Sequence, residues 1–558
     1  MNKSYRTRQI ATSLFVALGL TGATLTASAQ DYDLVINNGR VMDPETMRDE
    51  IANVGVKDGR IAAITRDKLQ GKETIDAKGH VVAPGFIDTH CHSIEPVSTR
   101  LVMLDGVTTC IDFEAGATDI DKWYAKMEGK WPVNYGTPVS QELLRGQLHD
   151  PEVKQKGADD SNTIFKIRAE NCKDGVCGWQ DTVSTLEQIN QLNKLLDEGL
   201  RQGALGIGTL VGYARDGIST LELYEAQKTA ARYGRPISLH SRFHGNSTPP
   251  TEGQLGFDEV LANALSLGAP LLYAHDNQYG WWENEEKLQA ARAQGANVWG
   301  EYYPYAAAST SVNATFLKPD AIGAIGIDYK DIYDPITDSR LTLETYQQLL
   351  KDDPAREIIA FVPANQPWPQ YWLRMPHMTV ASDSMWNYDT NWDQPVESFV
   401  GHPRTSGSRG TVLELGRKYN VPLMFSIAQM SYWSAKHLGD TGLKAMQERG
   451  RLQVGKVADI TIFDPLKAKA ESTFKQGEQG RPTSGIPYVI VNGQMVVKES
   501  RFQKVWAGQP IRYPVEATGR FEPTSAAEWI ERYSINTPPI DDSSMGPQSA
   551  GAKQATQP

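Results

Sequence analysis

The sequence predicts an α/β fold: a (β/α)8 barrel with a small β-sandwich domain built from both chain ends. Three observations predict it. Between about residues 86 and 450, short apolar runs alternate with amphipathic helical stretches, and eight of the runs have strand character. Both ends of the chain instead carry closely spaced β-type runs joined by Asn-Gly or Asp-Gly turns. Histidines and carboxylates fall at the ends of several apolar runs, where a barrel would gather them at one mouth.

Taken in order, the chain opens with Lys3, Arg6 and Arg8, then an apolar stretch over residues 10–25 and a small-x-small site at Ala27-Ser28-Ala29. Residues 1–29 therefore read as a secretory signal peptide, and the protein is expected to be exported to the periplasm. No later apolar stretch is long enough to span a bilayer, so no membrane partner is expected after cleavage. The net charge of -11, with no Lys/Arg cluster against it, argues against a nucleic-acid partner. A small molecule is the expected partner, and the oligomeric state is not readable.

The β-domain is expected over residues 30–85 and 451–515. Asn37-Asn38-Gly39, Asp58-Gly59 and Asn492-Gly493 are its turns. The barrel is expected over 86–450, with strands at 85–88, 108–113, 134–139, 205–210, 236–239, 270–274, 297–303 and 378–381. Helices such as 185–202, 220–233 and 257–267 lie between them. Residues 309–376 show no clear strand and read as an inserted lid. Residues 516–558, rich in Pro, Ser and Gln, read as a disordered tail in which Trp529, Ile530 and Tyr533 allow one short surface helix. Of the four cysteines, Cys172 and Cys177 flank a polar turn and read as a local disulfide. Cys91 should face away from its neighbouring histidines, and Cys110 reads as a small core residue.

The chemistry-bearing residues follow from the strand ends. His90 and His92 are spaced i, i+2, so they share one face of a strand. Glu114 follows the second strand, His240 the fifth, His275 the sixth and Asp383 the eighth. Neutral imidazoles and hard carboxylates that converge with an open position suit Zn2+, one ion or two. Asp383 then stands where it can take a proton from a bound water and return it to a leaving nitrogen.

The ordered set Ala83-Pro84-Gly85-Phe86-Ile87-Asp88-Thr89-His90-Cys91-His92, Asp105-Gly106-Val107-Thr108-Thr109, Gly203-Ala204-Leu205-Gly206, Tyr303-Pro304-Tyr305, Ser382-Asp383 and His402-Pro403-Arg404 resembles the amidohydrolase superfamily. Within it, the chain is most similar to the D-aminoacylase, or N-acyl-D-amino-acid deacylase, group. The resemblance implies a zinc-dependent hydrolase of linear amides, acting on N-acyl-D-amino acids, including acidic ones such as N-acyl-D-glutamate. It places metal ligands at His90, His92, His240, His275 and Asp383. Where the group usually carries a metal-binding cysteine, this chain has Glu114, with Asp112 as its rival. No lysine stands at residues 206–210 to serve as the carboxylated ligand of hydantoinases and dihydroorotases.

For substrate binding, Arg404, and Arg242 two residues past His240, are the cations expected to pair with a carboxylate. Tyr213 and Tyr303 match tyrosines of the group and are expected at the carboxylate or the scissile carbonyl. The lysine that often follows the sixth-strand histidine is absent, because the chain reads His275-Asp276-Asn277. His244 and His377 are expected to support the ligands or the fold. A dipeptidase, or a cyclic-amide or ester hydrolase, is the alternative on the same scaffold. A non-catalytic binding protein is a further one.

Overall fold

A computed structural model describes residues 32–151, 159–172 and 177–534. The expected signal peptide lies outside the described residues, as does the chain beyond 534. Among the described residues no helix is long and apolar enough to cross a membrane.

Both chain ends build one nine-stranded sheet. Tyr32–Asp43, Arg48–Lys57, Arg60–Thr65, Gly71–Asp76 and Val81–Pro84 join Ile460–Phe463, Tyr488–Val491, Gln494–Lys498 and Arg501–Phe502. The seam is Val81–Pro84. It runs parallel to the first strand, with Val41 opposite Val82, and antiparallel to Ile460–Phe463, with Ile462 opposite Val82. Asp58 and Gly59, and again Asn492 and Gly493, hold the positive φ at both positions that tight hairpins require. Leu34, Ile36, Val54 and Val82 share a buried cluster with Ile460, Ile462 and Ile490. The sandwich expected from the sequence is thus one continuous hydrogen-bonded sheet around a common core.

The middle of the chain is α/β with parallel strands. Phe86–Asp88, Val107–Ile111 and Asn134–Gly136 form one array. Val139–Ser140, Ile207–Thr209, Ile237–Leu239, Leu271–Tyr273, Val298–Tyr302 and Thr379–Val380 form another, each parallel to its neighbour. Isolated parallel bridges, Ala117 to Val139 and Cys91 to Ser384, link the two arrays. The expected third strand is split at Pro138, which has no N–H to give a ladder. Around the strands, Leu186–Arg201 starts with a Thr185/Gln188 capping box and buries Ile189, Leu192, Leu196 and Leu200 at helical spacing. Thr220–Arg232 matches its expected span, whereas Pro250–Leu267 begins well before 257, with a proline at its first turn.

Three expectations need correction. The stretch 309–376 has a sheet of its own: Ala307–Ser311, Ile332–Asp334, Ser339–Arg340 and Glu357–Phe361 pair antiparallel. Ala307–Ser311 is made of small and hydroxyl residues with no apolar alternation, and its partner lies far along the chain. Residues 516–534 are not a free tail. Arg520 N donates to Asp197 (2.8 Å), the Arg520 guanidinium pairs with Glu516 (2.8 Å), and Ser525 caps the helix Ala526–Tyr533. Polar fastening stands there beside the burial of Ala526 and Ile530. Cys110 is a core residue but not a free thiol, since it is bonded to Cys91 with Cα atoms 5.5 Å apart. Cys110 sits on the strand Val107–Ile111 and Cys91 just past the end of its neighbour Phe86–Asp88, and that adjacency is tertiary. The Cys172–Cys177 disulfide forms as expected.

Candidate metal centre

Each proposed ligand stands just past the C-terminal end of a parallel strand, and the local backbone explains its direction. Asp88 closes the first strand. Its Oδ1 accepts from the His90 amide (3.2 Å) and the Ser382 amide (3.1 Å), and its Oδ2 accepts from Arg409 Nη1 (2.7 Å). One buried carboxylate therefore ties the His90–His92 segment to the segment that carries Asp383. His275 and Asp383 adopt left-handed backbone, with φ of 35° and 49°. Non-glycine residues hold that region only where the surroundings enforce it.

The side chains converge on Glu114. Its Oε2 lies 3.2 Å from His90 Nε2 and 3.7 Å from His92 Nε2. Its Oε1 lies 2.9 Å from His275 Nε2 and 3.8 Å from His240 Nδ1. Asp383 Oδ1 sits 3.4 Å and 3.5 Å from the Nε2 atoms of His90 and His92. His90, Glu114 and His275 make one metal-sized group, and His90, His92 and Asp383 make a second. Glu114 presents one oxygen to each side.

The donors fit a divalent cation. His90 Nδ1 meets Glu301 Oε1 at 2.7 Å and His92 Nδ1 meets Asp112 Oδ1 at 3.0 Å, contacts that place the ring protons on Nδ1. The two Nε2 lone pairs are then only 3.1 Å apart and face carboxylate oxygens. A cation between them relieves that conflict. Charge balance points the same way. Burial alone would lower the His90 imidazole, but Glu114, Asp383 and Glu301 outweigh it and raise its pKa well above the ordinary value. For His92 the opposing carboxylate is Asp112. Burial would raise Glu114, yet His90 and His275 hold it well below the usual carboxylate range. His240 is pushed down to about 3 by burial and by His275, so it is a neutral donor.

The Amidohydrolase family model matches residues 73–143. A D-aminoacylase of Alcaligenes xylosoxydans xylosoxydans is 24% identical over 516 residues, spanning 87% of this chain and 98% of that protein. An N-acyl-D-glutamate deacylase of the same organism is 25% identical over 507 residues, 84% of this chain and 95% of that one. Along most of its length the chain is thus similar to the D-aminoacylase group of amidohydrolases. Among solved structures, the N-acyl-D-glutamate deacylase of Bordetella bronchiseptica, complexed with zinc and a phosphonate inhibitor, is similar with a TM-score of 0.67. The identity is 23%, over 87% of this chain and 100% of that one.

Glu114, not its rival Asp112, faces the centre. Asp112 lies behind it, orienting His92 and accepting from the amides of Ala115 (3.1 Å) and Gly116 (3.3 Å). His244 supports His275 from behind, Nε2 to Nδ1 at 2.9 Å. His377 pairs with His437 (3.0 Å) and lines no part of the centre. Arg404 is fully buried, its Nη1 2.9 Å from Asp383 Oδ2 and its guanidinium 4.7 Å over the Tyr303 ring. Arg404 and His90 hold Asp383 ionised against the effect of burial.

Arg242 is the sequence candidate that the structure does not bring to the centre. Its guanidinium forks onto Glu259 (2.9 and 3.1 Å) and donates to the Arg215 carbonyl. The i, i+2 argument fails because the strand has ended at Leu239 and the chain is already turning, with Phe243 at φ 58°.

A cavity of about 880 Å3, counted out to its mouth, opens over the centre and is lined by His92, Glu114, His240, His275 and Asp383. Tyr213 and Tyr303 stand in its wall. Tyr213 shares a 2.9 Å hydrogen bond with Thr310 on the inserted sheet. Two functional residues were not singled out from the sequence. Glu301 holds His90 from the end of a strand otherwise read as core. Arg168 lines the cavity from the helix Ser161–Asn171. An acidic residue inside an apolar barrel strand was a usable signal for the first. No local pattern marked the second.

Proposed function

We propose that this protein cleaves the amide bond of N-acyl-D-amino acids with zinc, one ion or two, and an activated water. The similarity to D-aminoacylase and N-acyl-D-glutamate deacylase along most of the chain supports the substrate class. The observation that carries the reading is Asp383, with one oxygen ion-paired to Arg404 and the other beside His90 and His92 at the floor of the cavity.

When bound, the metal supplies a polarised carbonyl and a more acidic water. The remaining work falls to the chain. Asp383 Oδ1 accepts the proton of the attacking water and passes it to the leaving nitrogen. Arg404 keeps that carboxylate ionised. Glu301 and Asp112 fix the tautomers of His90 and His92. Tyr213 and Tyr303 stand where a hydroxyl can meet the substrate carboxylate or the scissile carbonyl.

The same reading includes closure of the two parallel arrays into a (β/α)8 barrel, supported by the bridges Ala117–Val139 and Cys91–Ser384. It also includes export to the periplasm, supported by the leader composition and by two disulfides, which persist in oxidising compartments. The test is metal analysis of the purified protein, followed by amine release from N-acetyl-D- and N-acetyl-L-amino acids beside dipeptides. Release from the D-acyl compounds is expected. Hydrolysis confined to L-dipeptides would overturn the reading.

A further inference from the structure

Each imidazole that faces Glu114 has a second ring nitrogen turned away from the centre. In His90, His92 and His275 that outward nitrogen has a protein partner: Glu301 Oε1 at 2.7 Å, Asp112 Oδ1 at 3.0 Å and His244 Nε2 at 2.9 Å. His240 is the exception. Its Nδ1 is the inward atom, 3.2 Å from His275 Nε2 and 3.8 Å from Glu114 Oε1. Among the described residues nothing takes a hydrogen bond from its Nε2, although the residue is buried. The outward N–H of a metal-held imidazole almost always has an acceptor.

The missing acceptor has a place to sit. A second cavity, about 690 Å3 counted out to its mouth, has His240 in its wall together with Gly212, which does not line the cavity over the centre. A Cβ at Gly212 would come within 2.3 Å of Cδ2 and 2.8 Å of Nε2 of His240. Glycine therefore leaves that edge of the ring bare toward the second cavity. The wall there carries charges of both signs, Arg215 and Lys318 beside Asp181, Asp216 and Asp320. Arg215 and Asp216 satisfy each other at 3.1 Å, whereas Lys318 and Asp320 form no ion pair among the described residues.

A single water on Nε2 is the simplest occupant. It accounts for the bare nitrogen but makes no use of a roomy cavity with an unpaired cation and an unpaired anion on its wall. A carboxylate joined to an ammonium uses all three.

We propose that this second cavity is a regulatory site for a free α-amino acid, the class of amine product that the reaction releases, with its carboxylate accepting from His240 Nε2–H and its ammonium facing the aspartates. Naming the occupant as a product rests on the amide-hydrolase reading above. A carboxylate on that N–H makes the imidazole a stronger donor, which tightens its hold on a metal and softens the pull on substrate. Accumulated product then slows the enzyme from outside the cavity that binds substrate.

The test titrates D-alanine into metal-loaded Asp383→Asn protein whose main cavity is filled with saturating N-acetyl-D-alanine. Calorimetry should show one D-alanine bound per chain, with acetate and D-alaninamide, which each carry one of its two charges, at least tenfold weaker. Lys318→Ala combined with Asp320→Ala should weaken D-alanine at least tenfold while N-acetyl-D-alanine binds as before. In the wild-type holoenzyme, D-alanine should slow the loss of metal to a chelator severalfold, an effect that the double variant loses. No D-alanine binding beside N-acetyl-D-alanine, equal binding of acetate, or metal protection that survives the double variant overturns the inference, and the first two need no variant of the site. Failure of N-acetyl-D-alanine to bind sinks the parent reading instead, and the chelation measurement, which uses D-alanine alone, still reads the second site.

Discussion

Asp383 and Glu114 do different work although both are buried, ionised carboxylates. Asp383 is held at one oxygen and leaves the other for proton transfer, so Asp383→Asn should lower kcat by about 100- to 10,000-fold while bound metal stays unchanged, as read by steady-state kinetics and elemental analysis. Glu114 faces two donor sets, one oxygen each, so Glu114→Ala should lower the bound metal per chain itself. Loss of activity with full metal content would show that Glu114 is not a ligand.

Asp105 carries a pH signature away from the centre. It is buried, with its pKa pushed up to about 7 by burial, although it accepts from the amides of Arg409 (2.6 Å) and Gly410 (2.9 Å). The folded state therefore keeps a proton that the unfolded chain releases near pH 4, and stability falls as pH rises from about 4 to about 7. Asp105→Asn mimics the neutral acid. Its melting temperature should lie below wild type at pH 5, and the gap should narrow by pH 7, by about 2–3 kcal/mol in free energy. A gap that stays constant across that range would contradict the assignment. Legibility at this scale was uneven. Ligands that directly follow a strand could be read from the sequence, because strand geometry carries over that far. Arg242 was misplaced once the chain turned, and Arg168 belongs to a helix whose approach to the cavity is purely tertiary.

At the scale of elements, the eight parallel strands fall where the apolar runs put them, since a strand buried on both faces must be nearly all apolar. The inserted sheet was missed because Ala307–Ser311 is neither apolar nor alternating and gains its pairing from Glu357–Phe361. The Cys91–Cys110 disulfide was missed for a related reason. It clamps the strand that leads to His90 and His92 onto the strand that leads to Glu114. With 19 residues between the cysteines, replacing both with serine should cost about 2–4 kcal/mol. The same change should weaken metal retention, measurable as faster loss of bound metal to a chelator. Unchanged chelation kinetics would separate the disulfide from the centre.

At the scale of the whole molecule, the sheet shared by both chain ends was visible as a resemblance in composition and turn chemistry between the two ends. That the two ends build one domain was expected; which strands pair across the seam was not visible, because a pattern of short strands does not name its partners. A chain ended at residue 455 would leave Val81–Pro84 with an open edge and strip Ile460, Ile462 and Ile490 from the core they share with Val82. It should be recovered as insoluble or aggregated material, judged by size-exclusion chromatography. A soluble, monomeric product would show that the first half of the sheet is self-sufficient.

The seam at Val81–Pro84 also imposes a schedule. Its partner Ile460–Phe463 leaves the ribosome only after the entire α/β body has been made, so the strand that leads to the first two histidines spends most of synthesis waiting for its neighbour. Assembly of the metal-binding floor is therefore timed to the finished polypeptide, and fragments released early have no complete foundation on which to fold.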